Sequence, residues 1–162
     1  MKTLFICSAN VGRSQMAEGY YNHFTNSRDG TSVALIEDRI NLLPEIDNES
    51  MIINKRIREY GGKPSSMIQD IMREDGIDIS FQEIKLLTKE ICDEADRIIL
   101  LLWLNLEQDS EFRVKGENPT KFLLKNYSDK IQIKVVDDPA GEGIEKSRII
   151  RDEIKLIVKS LL

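Results

Sequence analysis

Cys7 and Arg13 stand six positions apart in Cys7-Ser8-Ala9-Asn10-Val11-Gly12-Arg13-Ser14, a C-x5-R-S pattern near the start of the chain. A thiol and a guanidinium at that spacing can close on one tetrahedral oxyanion. The planar fork grips two oxygens while the sulfur attacks the central atom. A loop of small residues running into a helix turns several backbone N–H groups toward one point. That makes Ser8, Ala9, Asn10, Val11, Gly12, Arg13 and Ser14 a candidate phosphate-binding loop. The same field favours a thiolate at Cys7, and Ser14 can donate a further hydrogen bond to it. Asn10 tolerates the left-handed backbone that a tight loop needs in mid-turn. A lone cysteine reads as a small buried hydrophobe, and a lone arginine as an exposed helix charge. Chance supplies roughly 0.12 such matches in a chain of this composition, and the strand before, the helix after and the adjacent serine lower that further. The lysine and glycine spacing of a Walker loop is missing.

The second chemical element is Val135-Val136-Asp137-Asp138-Pro139-Ala140-Gly141, at the expected C-terminal end of the last strand. A carboxylic acid there can protonate a leaving-group oxygen while a thiolate attacks. Pro139 biases Asp138 away from helix, so that its side chain can point inward. Asp138 is therefore the expected general acid, and Asp137 is expected to serve structure. Other reactive side chains are scarce: two cysteines, Cys7 and Cys92, and one histidine, His23. This excludes a disulfide framework and a four-ligand zinc site of cysteine and histidine alone. Cys92 is expected to be a buried helix residue, and His23 an exposed or half-buried bystander on the first helix. A net charge of −5 argues against a nucleic-acid partner.

These residues need elements to hold them. Short apolar runs at Lys2–Ile6, Ser32–Ile36, Arg97–Trp103 and Ile131–Val136 suit strands buried on both faces of a parallel sheet. Helical patterns lie between them: about Ser14 to Asn26; Ser65–Asp75, with Pro64 fitting its first turn and Gly76 stopping it; and one starting at Thr88. A last helix, Ile144 to Leu162, aligns Ile150, Ile154, Ile157, Val158 and Leu161 on one stripe. Strands alternating with helices imply an α/β fold with ligands at the C-terminal strand ends. The 162 residues are expected to form one domain, 1–162. The longest apolar run, Ile98 to Leu104, cannot span a bilayer, and no signal-peptide core is seen, so a cytoplasmic, reducing location and no membrane partner are expected. Arg39 to Gly62 departs from the alternation and reads as an inserted segment at about 39–62, a surface helix packed on the sheet edge.

The Cys7–Ser14 loop at the N-terminus, followed by Gln15-Met16-Ala17-Glu18, resembles the low-molecular-weight protein tyrosine phosphatases and the related thioredoxin-coupled arsenate reductases. Other C-x5-R phosphatases carry the loop late; here it comes first, with the Asp-Pro more than a hundred residues on. The likeness extends to Gly76-Ile77-Asp78-Ile79-Ser80, Leu87-Thr88 and Ala95-Asp96-Arg97-Ile98-Ile99-Leu100. It implies a three-layer α/β/α fold with a four-stranded parallel sheet and no metal or other cofactor. By position it implies Cys7 as nucleophile, Arg13 as phosphate clamp, Ser14 as thiolate partner, Asn10 as loop organiser and Asp138 as general acid.

Four positions depart from the family's pattern. Ala9 replaces a usual glycine, and Gly12 a frequent second cysteine. Ala140-Gly141 follows the Asp-Pro where phosphatases commonly carry tyrosines, and in this respect the chain looks like the arsenate reductases. Those enzymes have two further cysteines after the third strand, where this chain has Leu102-Trp103-Leu104-Asn105. The expected function is a cysteine-dependent phosphatase acting on a phosphorylated protein, phosphotyrosine included, or on a small phosphomonoester. The alternative is an arsenate reductase-like enzyme that uses an external thiol. A third class, an oxyanion-binding module without turnover, is disfavoured by the intact Cys7, Arg13 and Asp138.

Overall fold

The computed structural model of the chain describes residues 1–35, 61–102 and 119–162. Among these, four strands alternate with helices: β1 (Thr3–Cys7), α1 (Arg13–Thr25), β2 (Gly30–Ala34), α2 (Ser66–Glu74), α3 (Lys89–Glu94), β3 (Arg97–Leu102), α4 (Pro119–Tyr127), β4 (Ile131–Val135) and α5 (Gly143–Lys159). The strands form one parallel sheet in the order β2-β1-β3-β4. β1 and β3 occupy its centre, which is why their runs are almost continuously apolar and buried.

Alternation along the strands sorts side chains to two cores. Phe5, Cys7, Ile99 and Leu101 face Met16, Ala17 and Tyr20 of α1, Ile71 and Met72 of α2, and Ile150, Ile154 and Val158 of α5. Leu4, Ile6, Val33, Ile98 and Leu100 face Cys92 of α3 and Leu123 and Tyr127 of α4. The result is the expected three-layer α/β/α arrangement. Chain order swings from β2 to β3 across β1, so the switch point lies where β1 ends, at Cys7.

Local signals act largely as expected. Ser65 caps α2 by accepting from Ile68 N–H, and Thr88 caps α3 by accepting from Ile91 N–H. Gly76, at φ 75°, ends α2 in the left-handed conformation. Pro64, however, lies one residue before the cap rather than in the first turn. β4 also differs from expectation: it is an edge strand, with Gln132, Ile133 and Val135 exposed rather than buried on both faces. Its Ile and Val content signals a strand but not its place in the sheet. The inserted segment at 39–62 lies outside the described residues except for Gly61 and Gly62, both with positive φ.

Candidate active site

Cys7 is the last residue of β1 and is buried, and the chain then turns through Ser8–Gly12 into α1. Four carbonyls of this loop are engaged outside it. Cys7 O accepts from Leu35 N (2.8 Å), Val11 O from Ser65 N (3.1 Å) and Gly12 O from Met16 N (2.9 Å). Asn10 O accepts from the Gln15 amide at 3.0 Å. No described peptide bond is cis, so the N–H on the far side of each plane, that of Ser8, Val11, Gly12 or Arg13, points the other way. Gly12, the N-cap of α1, offers no side-chain cap to the helix's first amides, which lack intrahelical acceptors. The loop's amides are thereby left free of the contacts that hold its carbonyls, and they can donate to an anion.

Asn10 takes the left-handed conformation, φ 55°, and is fully buried. Its Oδ1 accepts from Lys85 N–H (2.8 Å) and from the Gln15 amide (3.1 Å). That leaves Nδ2 to donate to Ser14 Oγ (2.8 Å) and Ser32 Oγ (2.9 Å). Ser14 Oγ in turn lies 3.0 Å from Cys7 Sγ. These contacts offset the cost of the left-handed turn and bring a hydroxyl to the sulfur.

Arg13 is almost wholly buried although charged. One of its terminal nitrogens donates to Val136 O (3.1 Å), and the other to Ser8 Oγ (3.0 Å) and Asp138 Oδ2 (3.3 Å). The guanidinium therefore ties the first loop to the end of β4, 123 residues later in the chain. Asp138 is partly exposed, and its Oδ1 accepts from Ala140 N–H (3.0 Å), which aims the carboxyl at Arg13. Asp137 points elsewhere: it pairs with Lys146 at 2.8 Å, and this contact holds its carboxyl below the usual range.

Cys7, Arg13, Ser14, Asn10 and Asp138 thus share one edge of the sheet. Cys92 is buried in the opposite core, and desolvation there pushes its thiol up to about 11. His23 is exposed on α1, edge-to-face with Phe24. Reading the sequence did not single out Ser32 or Lys85, since their link to the loop exists only once β2 and the 77–88 segment are placed. Among the described residues no group of three His, Cys, Asp or Glu could hold a metal ion, and no helix is long and apolar enough to cross a membrane. The arrangement can seat a tetrahedral oxyanion against a thiol, with a carboxyl group beside it.

No protein-family model matches the chain. Arsenate reductase 2 of Staphylococcus haemolyticus is 27% identical over 156 residues, 96% of this chain and 92% of the relative. An arsenate reductase of Staphylococcus aureus strain Newman is 25% identical over the same shares of both chains. Among solved structures, Vibrio vulnificus Wzb in complex with benzylphosphonate has a TM-score of 0.71 at 15% identity, covering 98% of this chain and 94% of the other. A low-molecular-weight protein tyrosine phosphatase from T. tengcongensis has a TM-score of 0.67 at 21% identity, covering 99% and 97%. An arsenate reductase in the phosphate-binding state has a TM-score of 0.64 at 23% identity, covering 99% and 96%. Along 96% of its sequence the chain resembles the arsenate reductases, and in fold it resembles the low-molecular-weight protein tyrosine phosphatases and an arsenate reductase of the same architecture.

Proposed function

We propose that the protein is a cysteine-dependent phosphatase that hydrolyses phosphomonoesters through a thiophosphate on Cys7. The observation that carries this reading is the convergence of Ser14 on Cys7 at 3.0 Å with the Arg13–Asp138 contact at 3.3 Å. The Cys7 thiolate attacks phosphorus and the ester P–O bond breaks. Arg13 and the loop amides of Ser8, Ala9, Asn10, Val11, Gly12, Arg13 and Ser14 take up the equatorial charge. Asp138 gives its proton to the departing oxygen. Water then attacks phosphorus, Asp138 takes the proton back, and the S–P bond breaks to release phosphate. The substrate class is a phosphorylated protein, phosphotyrosine included, or a small phosphomonoester. A reducing, cytoplasmic compartment suits a nucleophile that must stay a thiol.

A second reading is favoured by the names of the sequence relatives and by Ala140-Gly141 after Asp138-Pro139. Cys7 would displace water from arsenate to form a thiol–arsenate adduct, and an external thiol would attack the Cys7 sulfur to form a mixed disulfide, so that arsenite leaves with the electron pair. A second external thiol would then free Cys7. Cys92 supports no internal version of this step, because it is buried on the far side of the sheet.

The test measures phosphate release from an aryl phosphate, in parallel with arsenate-dependent oxidation of glutathione and thioredoxin. Cys7→Ser is expected to abolish turnover. Asp138→Asn should lower it by about 10²–10⁴ for a poor leaving group. Phosphate release that persists in Cys7→Ser overturns the phosphatase reading. Thiol oxidation that requires arsenate and Cys7, without phosphate release, selects the second.

A further inference from the structure

The two edges of the sheet are finished differently. Along β2 the edge is covered: Ala34 N–H donates to Lys85 O (2.8 Å) and Ala34 O accepts from Leu87 N–H (3.1 Å). β4 has no such cover among the described residues, where β3 is its one strand neighbour. Lys130 O accepts from Ile98 N–H and Val136 N–H donates to Leu102 O, so the backbone groups of the even-numbered residues turn to β3. Those of Ile131, Ile133 and Val135 therefore point out of the sheet. Their side chains lie on the α3–α4 face, where Ile131 packs against the core while Ile133 and Val135 are 38% and 57% exposed. Little blunts this edge against pairing. It lacks a proline, its register against β3 is unbroken, and its one charge, Lys134, is half-buried on the opposite face.

The edge complements itself. Turned end for end about Ile133, the order Ile131-Gln132-Ile133-Lys134-Val135 sets Ile133 against Ile133, Ile131 against Val135 and Gln132 against Lys134. The outward backbone groups belong to residues 131, 133 and 135, so each of those pairs exchanges two N–H···O bonds in an antiparallel ladder. Their apolar side chains fall on one face. Gln132 and Lys134 meet on the other, in the closer pairs that share no backbone bond. The flank of α5 beside this edge is apolar as well. Arg148, Arg151 and Lys155 turn one side of α5 to α2, and Lys146, bonded to Asp137 just after β4, marks the other. Ile149 and Leu156 follow Lys146 along that stripe and are 63% and 68% exposed. Glu153 stands between them at the rim, where solvent screens its charge.

We infer that the β4 edge and this flank of α5 are a docking surface for a second copy of the chain, joined about a two-fold axis through Ile133 so that two four-stranded sheets become one. The strip is about 25 Å long, the length of α5, and about 20 Å deep from strand to helix, hence about 500 Å² on each copy. The total of about 1,000 Å² is at the low end for specific interfaces and fits a dimer that exchanges at micromolar concentration. A two-fold contact closes on itself and leaves the covered β2 edges at both ends, so assembly stops at two chains. The contact is independent of what Cys7 does.

Sedimentation velocity of the full chain from about 1 to 200 µM tests this, with thermal melts of each variant as the control for folding. The wild type is expected to pass from one to two chain masses across that range. Ile133→Lys sets two ammonium groups face to face at the two-fold axis and should stay at one. Gln132→Lys opposes Lys134 of the second copy, and Gln132→Glu pairs with it, each twice over by symmetry. The dissociation constant should rise about fivefold in the first and fall about fivefold in the second, both effects fading at high salt. Gln132 is exposed, so neither change disturbs the core. Should the melt show Ile133→Lys unfolded, the Gln132 pair decides alone. A wild type that keeps one chain mass at the highest concentration overturns the inference. So does a dimer unmoved by a folded Ile133→Lys, or a pair of Gln132 variants that shift the dissociation constant the same way or not at all.

Discussion

Arg13 donates to acceptors from two distant parts of the chain, and its flat guanidinium makes this possible. Val136 O, Ser8 Oγ and Asp138 Oδ2 are reached by its two terminal nitrogens at 3.0–3.3 Å. A lysine ammonium is a single point on a flexible stem and cannot reproduce that fan. Arg13→Lys should therefore leave a folded protein whose kcat/KM toward an aryl phosphate falls by about 10²–10³, with a parallel loss of inhibition by inorganic phosphate. Near-normal kinetics in this variant would show that charge alone suffices and that the fork has no special role. The residues that the sequence makes legible at this scale, Cys7, Arg13, Ser14 and Asn10, sit within eight positions of one another, so spacing alone proposes them. Asp138 is legible because Pro139 and the end of a strand mark it. Ser32 and Lys85 are different: each is an ordinary polar residue in its own neighbourhood. Their role comes from the register of β2 against β1, where Ser32 lies opposite Phe5, and from the course of the 77–88 segment. No local pattern encodes either.

Gly19 decides how closely α1 approaches the segment after α2. A Cβ built there would meet Ile79 Cγ2 at 2.7 Å and Met72 Cε at 3.2 Å. The methionine end can yield, but the branched methyl of a fully buried isoleucine cannot. Replacing a mid-helix glycine by alanine favours the helix by about 1 kcal/mol, whereas overpacking a rigid neighbour costs about 1–3 kcal/mol. The clash should win: Gly19→Ala is expected to destabilise by up to about 2 kcal/mol in urea denaturation. Adding Ile79→Leu, which removes that methyl, should recover part of the loss, and a more stable single variant would contradict the close approach. Helix and strand positions were otherwise readable from periodicity and caps, except that no expected helical pattern covers α4. Ser65, Thr88 and Gly76 mark their helix ends through side-chain and backbone chemistry that acts within a few residues. What periodicity could not supply was placement. β4, expected like β3 to be buried on both faces, carries Gln132 and Lys134 within its run and lies at the edge, and α4 commits Leu123 and Tyr127 to the core with Phe122 packed against it.

Across the whole molecule, the helices of one layer are joined by charges as well as by apolar contact. Glu74, at the end of α2, accepts from Arg148 and Arg151 of α5, each at 2.7 Å. The next residue, Asp75, accepts from Lys155 of α5 at 2.8 Å and from the Tyr20 hydroxyl of α1 at 2.6 Å. The hydrogen bond from Arg148 leads in holding the Glu74 carboxyl below its ordinary value of 4.5. Burial pushes the Asp75 carboxyl up, but hydrogen bonds from Lys155 and Tyr20 outweigh it and leave the group below 3.8. A carboxyl whose folded value is depressed adds stability above its unfolded value and loses it as the pH falls through the folded one. The clamp should therefore be intact at neutral pH and release below about pH 4. Tyr20 works in the opposite sense. Burial, with Asp75 beside it, raises the phenol above its ordinary 10.0, so its contribution holds below pH 10 and fades in stronger alkali. Asp75→Asn is expected to lower stability by about 1–2 kcal/mol at pH 7 and by progressively less as the pH falls below the ordinary carboxylate value. Thermal melts of both proteins from pH 2 to pH 7 provide the measurement, with curves that converge at the acid end. α1 carries Arg13 and Ser14, and α5 follows the Asp138 loop, so the clamp and the site share two helices. Loss of phosphate binding on acidification should accordingly track the melting of this layer in the wild type and begin at higher pH in Asp75→Asn. A constant stability difference across that pH range would show that the cluster acts by packing and not by charge.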